Sequence, residues 1–197
     1  PMVDIGKIKD HFWNGKFTIF EIPPIEVARQ MTIISSSTYY AISPNELLDQ
    51  AWTDPRMKHR APNVVILLNR FDMITRWVQT VILTEKSILE RLAKMRFVIE
   101  VMIELEKIQN YLDYMSIFHG FMAPCIRRLQ LHKSKLPGKI QNELENAEKN
   151  ESFDNNSQAI RDIHTKCFNS HEPSLPFFVI LLKDIHNYEE TKTFIDG

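Results

Sequence analysis

The chain has 197 residues, of which 44% are hydrophobic, and its 24 Lys and Arg nearly balance its 25 Asp and Glu. This length suffices for one domain with a sizeable core, and the balanced charge argues against a nucleic-acid-binding protein. The cysteines are Cys125 and Cys167, too few for a disulfide framework, and no apolar run is long enough to span a membrane.

Helical periodicity dominates the chain. It contains only 5 glycines, and no stretch alternates apolar and polar residues over more than a few positions, which predicts an all-α fold. Residues 1–20 are expected to form an irregular lead-in. The first helix is predicted to follow Pro23 and Pro24, because proline ends a preceding helix and suits a first helical turn.

The segment SPNELLDQAW, residues 43–52, contains the clearest signal for a helix start. Ser43 can cap the helix, Pro44 suits the first helical position, and Glu46 can reach back to complete a capping box. The side chains predicted to face inward are Leu47, Leu48, Ala51 and Trp52.

The middle of the chain predicts two long helices. The segment NVVILLNRFDMITRWVQTVIL, residues 63–83, forms the first, and the second extends over residues 84–122. Between Phe97 and Leu105 apolar residues occupy nearly every side of the second helix. This pattern is typical of a central helix that other helices surround.

The second of these helices would exceed the usual length in a globular protein, so we expect a break near Gln109 and Asn110. Its second part is predicted to end at Gly120 and Pro124. A further short helix is expected after Pro124 and is predicted to stop at the Pro137–Gly138 pair.

His164, Cys167 and His171 are spaced so that one helical stripe would hold all three, and such side chains can bind zinc. A convincing fourth ligand is missing, so the alternative is a surface helix with two histidines and a small thiol, and no metal site is predicted. No glycine-rich phosphate loop and no GxSxG motif occurs. Residue chemistry alone therefore predicts an all-helical binding module, with a metal-dependent enzyme as a weaker alternative.

Four blocks of sequence, in order along the chain, point to a family. They are PIEVARQMTIISSSTYYAISPNELLDQAW, APNVVILLNRFDMITRWV, ERLAKMRFVIEVMIELEKIQNYLDYMSIFHGFMAPCIRRL and PSLPFFVILLKDIHNYEE. Together they resemble the successive blocks of the Ras guanine-nucleotide exchange factor catalytic domain, the Cdc25-homology domain. The resemblance implies such a domain over residues 21–197, incomplete at its C-terminus.

This resemblance implies an irregular, bowl-shaped bundle of helices with a protruding C-terminal helix, the first half of a helical hairpin. A domain of this family binds a Ras-like GTPase, of the Ras, Rap or Ral type, at switch II and opens the nucleotide site with the hairpin. GDP then leaves and GTP enters. The process needs no covalent chemistry and no cofactor.

The C-terminal stretch PSLPFFVILLKDIHNYEE, residues 173–190, is similar to the first helix of that hairpin. A helical wheel predicts a buried stripe that consists of Phe178, Leu181, Leu182 and Ile185. A second stripe, free to face a partner, consists of Val179, Lys183, His186 and Glu190.

The resemblance implies catalytic roles for Phe177, His186 and Glu190. Phe177 matches an aromatic residue that helps to hold the hairpin, and Glu190 matches an acid that takes over part of the phosphate's place. His186 stands where the family usually has an apolar residue that occludes the magnesium site, which leaves the strength of metal displacement open. The implied GTPase-binding positions are Trp52, Leu68, Asn69, Asp72, Met115, Met122, Arg127 and Lys183.

Two alternatives remain open for these positions. Core packing is an equal explanation for Trp52, Leu68 and Met115, and a solvated surface charge is one for Arg127. The family's hairpin has a second helix, whereas only TKTFIDG follows Glu190, so the hairpin is expected to be incomplete. The alternative function is therefore that of a catalytically inactive relative, which binds a GTPase or another signalling protein without exchange. The expected location is the cytoplasm, with recruitment to a membrane through other domains.

Overall fold

The computed structural model describes residues 18–129, 133–150 and 157–191. The regular structure within these ranges is helical, which confirms the predicted all-α class. The helices are α1 (Pro24–Tyr40), α2 (Pro62–Leu83), α3 (Ile88–Lys107), α4 (Tyr111–Met122), α5 (Pro124–Arg127), α6 (Gly138–Asn150), α7 (Gln158–Ser170) and α8 (Phe178–Thr191). Short 3₁₀ turns cover Ile19–Glu21, Pro44–Gln50 and Lys58–Arg60. Most of the predicted lead-in, residues 1–17, lies outside the described ranges.

Helix α3 lies at the centre of the described fold, as the sequence predicts. Helices α1, α2, α4 and α6 all contact it. Its buried side chains are Met95, Phe97, Val98, Ile99, Val101, Met102 and Leu105. Removal of these apolar surfaces from water on several sides of one helix is the main driving force for the bundle.

The joint between α3 and α4 falls where the sequence predicts a break. Gln109 has a left-handed backbone with φ 57°, and the Asn110 side chain caps α4 by accepting the Asp113 N–H at 3.0 Å. The joint also holds the segment that leads into α8. Leu175 donates its N–H to the Gln109 carbonyl at 2.9 Å and accepts the N–H of Tyr111 at 2.9 Å.

Helices α2 and α4 lie side by side with almost no space between them. A β-carbon at Gly120 of α4 would lie 2.7 Å from the β-carbon of Val78 in α2. The Thr75 hydroxyl donates a hydrogen bond to the Ser116 carbonyl at 2.9 Å. The prediction that Gly120 ends α4 is wrong, because this glycine lies inside the helix and permits the close approach of α2. The helix ends at Met122, just before the proline that was also predicted to end it.

The predicted capping box at Ser43 and Glu46 is confirmed. The Glu46 carboxylate also accepts the backbone N–H groups of Asn63 at 2.7 Å and Val64 at 3.2 Å, so that it caps the start of α2. The expected inward position of Leu48 is wrong, since this side chain is 53% exposed. The backbone of Leu48 is extended rather than helical, with ψ 147°, and this interrupts the helical periodicity on which the prediction depended.

The short helix predicted after the end of α4 is α5, which ends at Arg127, earlier than expected. Lys133 is helical, residues 130–132 lie outside the described ranges, and α6 begins at Gly138, directly after Pro137. The Pro137 carbonyl accepts the N–H groups of Ile140 at 2.8 Å and Gln141 at 3.0 Å. Across the described ranges, no helix is long and apolar enough to cross a membrane.

Candidate functional site

Helix α8 is anchored to the rest of the fold along its first turns. The side chains that pack toward the core are Phe178, Ile180, Leu182 and Ile185. The ring of Phe178 contacts Tyr39 of α1 edge-on, with 5.6 Å between the ring centroids. Leu181, predicted to be buried, is 44% exposed, and that prediction is wrong. Ile180 is buried in its place, because the first turn of α8 is covered on more than one side.

The second row of α8 side chains is exposed only in part. Lys183 is exposed, whereas Val179 is half-buried against the core. The half-buried ring of His186 forms a hydrogen bond through Nδ1 with the side-chain oxygen of Gln50. Glu190 lies within α8, but its side chain is outside the described structure. The middle of α8 is therefore joined to the Pro44–Gln50 turn.

Phe177, just before α8, is 2% exposed and lies between α2 and α4. Its ring centroid is 5.7 Å from that of Phe71 in α2 and 6.1 Å from that of His119 in α4. The Phe71 and His119 rings are 5.2 Å apart and nearly perpendicular. Burial lowers the pKa of His119, which favours its neutral form in this cluster. These three rings fix the start of α8 against both helices.

Helix α7 holds α8 from another direction. Arg161 donates two hydrogen bonds to the Asp184 carboxylate, at 2.7 Å from Nη1 and 2.6 Å from Nη2. One turn further along α7, the Nε2 atom of His164 accepts the backbone N–H of Phe177 at 3.0 Å. The hydrogen bonds from Arg161 lower the pKa of Asp184. Burial, and secondarily the charge of Arg161, lowers the pKa of His164.

The side chains predicted to meet a GTPase differ widely in exposure. Trp52 and Met115 are buried, with 7% and 1% exposure, and their packing in the core is evident. Leu68 and Met122 are half-buried and pack against the core with their inner sides. The exposed members of the set are Asn69, Asp72, Arg127 and Lys183. These four side chains are the members of the set that are open to solvent.

Asn69 and Asp72 occupy neighbouring turns on the solvent side of α2. The Asp72 carboxylate lies 3.8 Å from Arg76 in the next turn, and both side chains are largely exposed. Arg127 lies beyond α4, in α5, where it lines a polar cavity of about 260 Å³ together with Glu145 and Glu148. These exposed residues thus offer hydrogen-bonding and charged groups to solvent.

The structure overturns the arrangement expected for His164, Cys167 and His171. Helix α7 ends at Ser170, and His171 has a left-handed backbone with φ 55°, so the three side chains do not share one helical stripe. Cys167 is buried, and His164 accepts the Phe177 N–H. Among the residues that the structure describes, no three His, Cys, Asp or Glu side chains are placed to hold a metal ion.

Comparison with known sequences identifies the family. The RasGEF domain profile matches residues 26–197, which is most of the chain, so the chain belongs to the RasGEF domain family. This membership confirms the resemblance that the four sequence blocks indicate.

Several relatives carry names that describe the family's activity. The chain is 30% identical over 193 residues to the Ras guanine nucleotide exchange factor J of Dictyostelium discoideum, covering 97% of this chain and 23% of that protein. It is 32% identical over 173 residues to factor K of the same organism, covering 87% and 11%. It is 29% identical over 185 residues to the Son of sevenless homolog of Caenorhabditis elegans, covering 91% and 12%. The chain thus spans less than a quarter of the length of these relatives.

Proposed function

We propose that the chain is the catalytic domain of a guanine-nucleotide exchange factor for a Ras-family GTPase. Membership in the RasGEF family supports this, as do the names of the relatives. The structural observation that carries the proposal is the anchoring of α8. Phe177 fixes one end of this helix between α2 and α4, while Lys183 on its second row stays exposed.

The proposed mechanism uses surfaces instead of a nucleophile. The switch II region of the GTPase binds over Asn69 and Asp72 on α2, and α8 presses against the neighbouring switch I region to open the nucleotide site. The factor and the nucleotide oppose each other's binding by the same free energy, so the factor binds the empty GTPase more tightly than the loaded one. Choice among Ras, Rap and Ral types depends on a few contacts at the rim. The cytoplasmic location inferred from the sequence stays a prediction.

A second candidate function is binding without exchange. His186 stands where the resemblance implies an apolar residue, and its ring is hydrogen-bonded to Gln50. A His186 side chain that is hydrogen-bonded within its own domain would contribute little to displacement of the magnesium ion of a GTPase. An inactive relative would retain the surface on α2 and lose the action of α8.

The first prediction concerns nucleotide release. The protein, at its natural full length, is expected to accelerate the release of a fluorescent GDP analogue from at least one of a panel of Ras, Rap and Ral GTPases. Asn69→Arg should raise the concentration needed for half-maximal acceleration by about tenfold, because it places a long charged side chain in the proposed contact. A stopped-flow fluorescence assay over a range of protein concentrations measures both effects.

Asn169→Arg is the matched control, since Asn169 is also exposed but lies near the end of α7. If the protein accelerates release from no GTPase of the panel beyond the intrinsic rate, the exchange function is refuted. A pull-down of nucleotide-free GTPase would then test binding without exchange. An equal rise of the half-maximal concentration in Asn69→Arg and Asn169→Arg would contradict the placement of the binding surface on α2. Phe177→Ala is a weaker test, because truncation of a buried aromatic residue costs about 3–5 kcal/mol of stability wherever it lies.

A further inference from the structure

The contact between α7 and α8 has two attachment points on one face of α7. Arg161 donates to the Asp184 carboxylate from its two terminal nitrogens, Nη1 and Nη2, and His164 accepts the N–H of Phe177. These two α7 residues are three positions apart, so their side chains lie one turn apart on the same face. Helix α7 itself is fixed by the buried Ile160 and Cys167.

The two attachments act at different heights along α8. Phe177 precedes the helix, whereas Asp184 lies in its second turn, between Lys183 and the residues that lead to His186. Two fixed points define the direction of a rod, whereas one fixed point leaves it free to pivot. The hydrogen bond from Phe177 to His164, with the apolar packing near the start of α8, supplies the first point, and the ion pair supplies the second.

The geometry of the ion pair suits it to set an orientation. A bidentate pair between a guanidinium and a carboxylate restricts both the distance and the angle between the two groups. The Arg161 and Asp184 side chains are 27% and 40% exposed, so the pair contributes little to global stability. Its effect is expected to be local, on the direction of α8.

We infer that Arg161 is a positioning residue for exchange, which aims α8 at the GTPase through its paired contact with Asp184. This inference rests on the proposed function of α8 as the opening element. In this inference α7 fixes the orientation of α8, the helix that faces the partner. Arg161 acts through Asp184 and does not itself contact the GTPase.

The test uses Arg161→Met, Asp184→Asn and the double variant in the nucleotide-release assay, with the GTPase of the panel that the wild type activates most, loaded with fluorescent GDP. Each single variant is expected to lower the maximal release rate by about fivefold and to change the half-maximal concentration by less than about twofold, because α2 still binds. The double variant should be no slower than the slower single variant, since both changes break one contact.

Arg96→Met is the matched control, because Arg96 also pairs with a carboxylate, Glu100, at 2.7 Å on the exposed side of α3. It should leave the maximal rate unchanged. Equal losses in Arg96→Met, or losses that multiply in the double variant, would overturn the inference and indicate a general structural role.

A second measurement is independent of any GTPase. Amide hydrogen exchange of the isolated protein should show weaker protection of residues 183–188 in Arg161→Met, with no change in α3. Unchanged protection of α8 would overturn the inference even if the wild-type protein accelerates release. Absence of release by the wild type across the whole panel of Ras, Rap and Ral GTPases refutes the proposed function, whereas normal release by Arg161→Met refutes only the role of Arg161.

Discussion

His164 accepts the backbone N–H of Phe177 only while its Nε2 atom carries no proton. Burial and the adjacent Arg161 lower the pKa of His164, and burial lowers the pKa of His119. Both imidazoles thus resist protonation in the folded protein. In the unfolded chain both side chains regain the ordinary histidine pKa of about 6.5.

We expect the free energy of unfolding to decrease as the pH falls below about 6.5, because the unfolded state then binds protons that the folded state does not. The decrease should level off below the folded-state pKa values, where both states are protonated. Urea unfolding at about pH 7.5 and about pH 5.5 measures this change. His164→Gln should reduce the decrease, and His59→Gln, at an exposed position, should not. A full wild-type decrease in His164→Gln would contradict the role given to His164.

At the scale of elements, the contact between α2 and α4 depends on the absence of a side chain at Gly120. A β-carbon there would lie 2.7 Å from the β-carbon of Val78 and 3.1 Å from the Thr75 carbonyl oxygen. Neither atom is the end of a flexible side chain, so the helices themselves would have to separate. That separation would alter the relative position of Leu68 and Met122, which lie on these two helices.

Gly120→Ala is therefore expected to destabilise the protein. Overpacking costs about 1–3 kcal/mol, and the gain in helix propensity from glycine to alanine is at most about 1 kcal/mol, so the clash should dominate. Chemical denaturation measures the difference. Gly138→Ala is the matched control, because a β-carbon at Gly138 would meet no atom within 4 Å beyond its chain neighbours and its own helix backbone, and it should not destabilise. A Gly120→Ala protein as stable as the wild type would contradict this tight contact.

Helix α8 illustrates what a helical wheel can and cannot predict. The wheel correctly places Phe178, Leu182 and Ile185 toward the core, because a single apolar stripe at helical spacing must be buried. The wheel fails at Leu181, because it assumes that α8 contacts the rest of the fold along one face only. Ile180 is buried because other elements cover the first turn of α8 from a second direction, and the local pattern contains no information about them.

For the whole molecule, the sequence predicts features with local causes. The all-α class, the capping box at Ser43, the central position of α3 and the break near Gln109 all follow from periodicity, capping chemistry and helix length. The position of Phe177 follows only from the resemblance to a family. Its two ring partners, Phe71 and His119, lie in helices whose packing the sequence does not reveal.

The contacts that orient α8 could not be predicted, because they join distant parts of the chain. Gln50 and His186 are 136 residues apart, and Arg161 and Asp184 are 23 residues apart. Polar side chains carry no periodic signal in a sequence, because most polar side chains in proteins lie in solvent and form no such contact. The left-handed backbone of Gln50, with φ 50°, is equally unexpected for a residue other than glycine.

A buried polar network connects α1, α2 and α4. The Ser35 hydroxyl lies 2.8 and 2.7 Å from the two carboxylate oxygens of Asp113, and it accepts the Nε–H of Arg70 at 2.7 Å. Asn110 donates to Asp113 at 2.8 Å. Burial raises the pKa of Asp113, while the charge of Arg70 and the hydrogen bonds oppose that rise. The network fixes three helices through one carboxylate.

Asp113→Leu is expected to lower the free energy of unfolding by about 3–5 kcal/mol, because it leaves the Arg70 guanidinium in a poorly solvated position without a counter-charge. Arg70→Leu should cost a similar amount, and the double variant less than the two losses added together, since it removes both charges. Urea unfolding of the three variants measures these differences. Arg76→Leu, which removes the exposed pair with Asp72, should cost less than about 1 kcal/mol. Strict additivity in the double variant would show that Arg70 and Asp113 stabilise the bundle independently, contrary to their 3.7 Å separation.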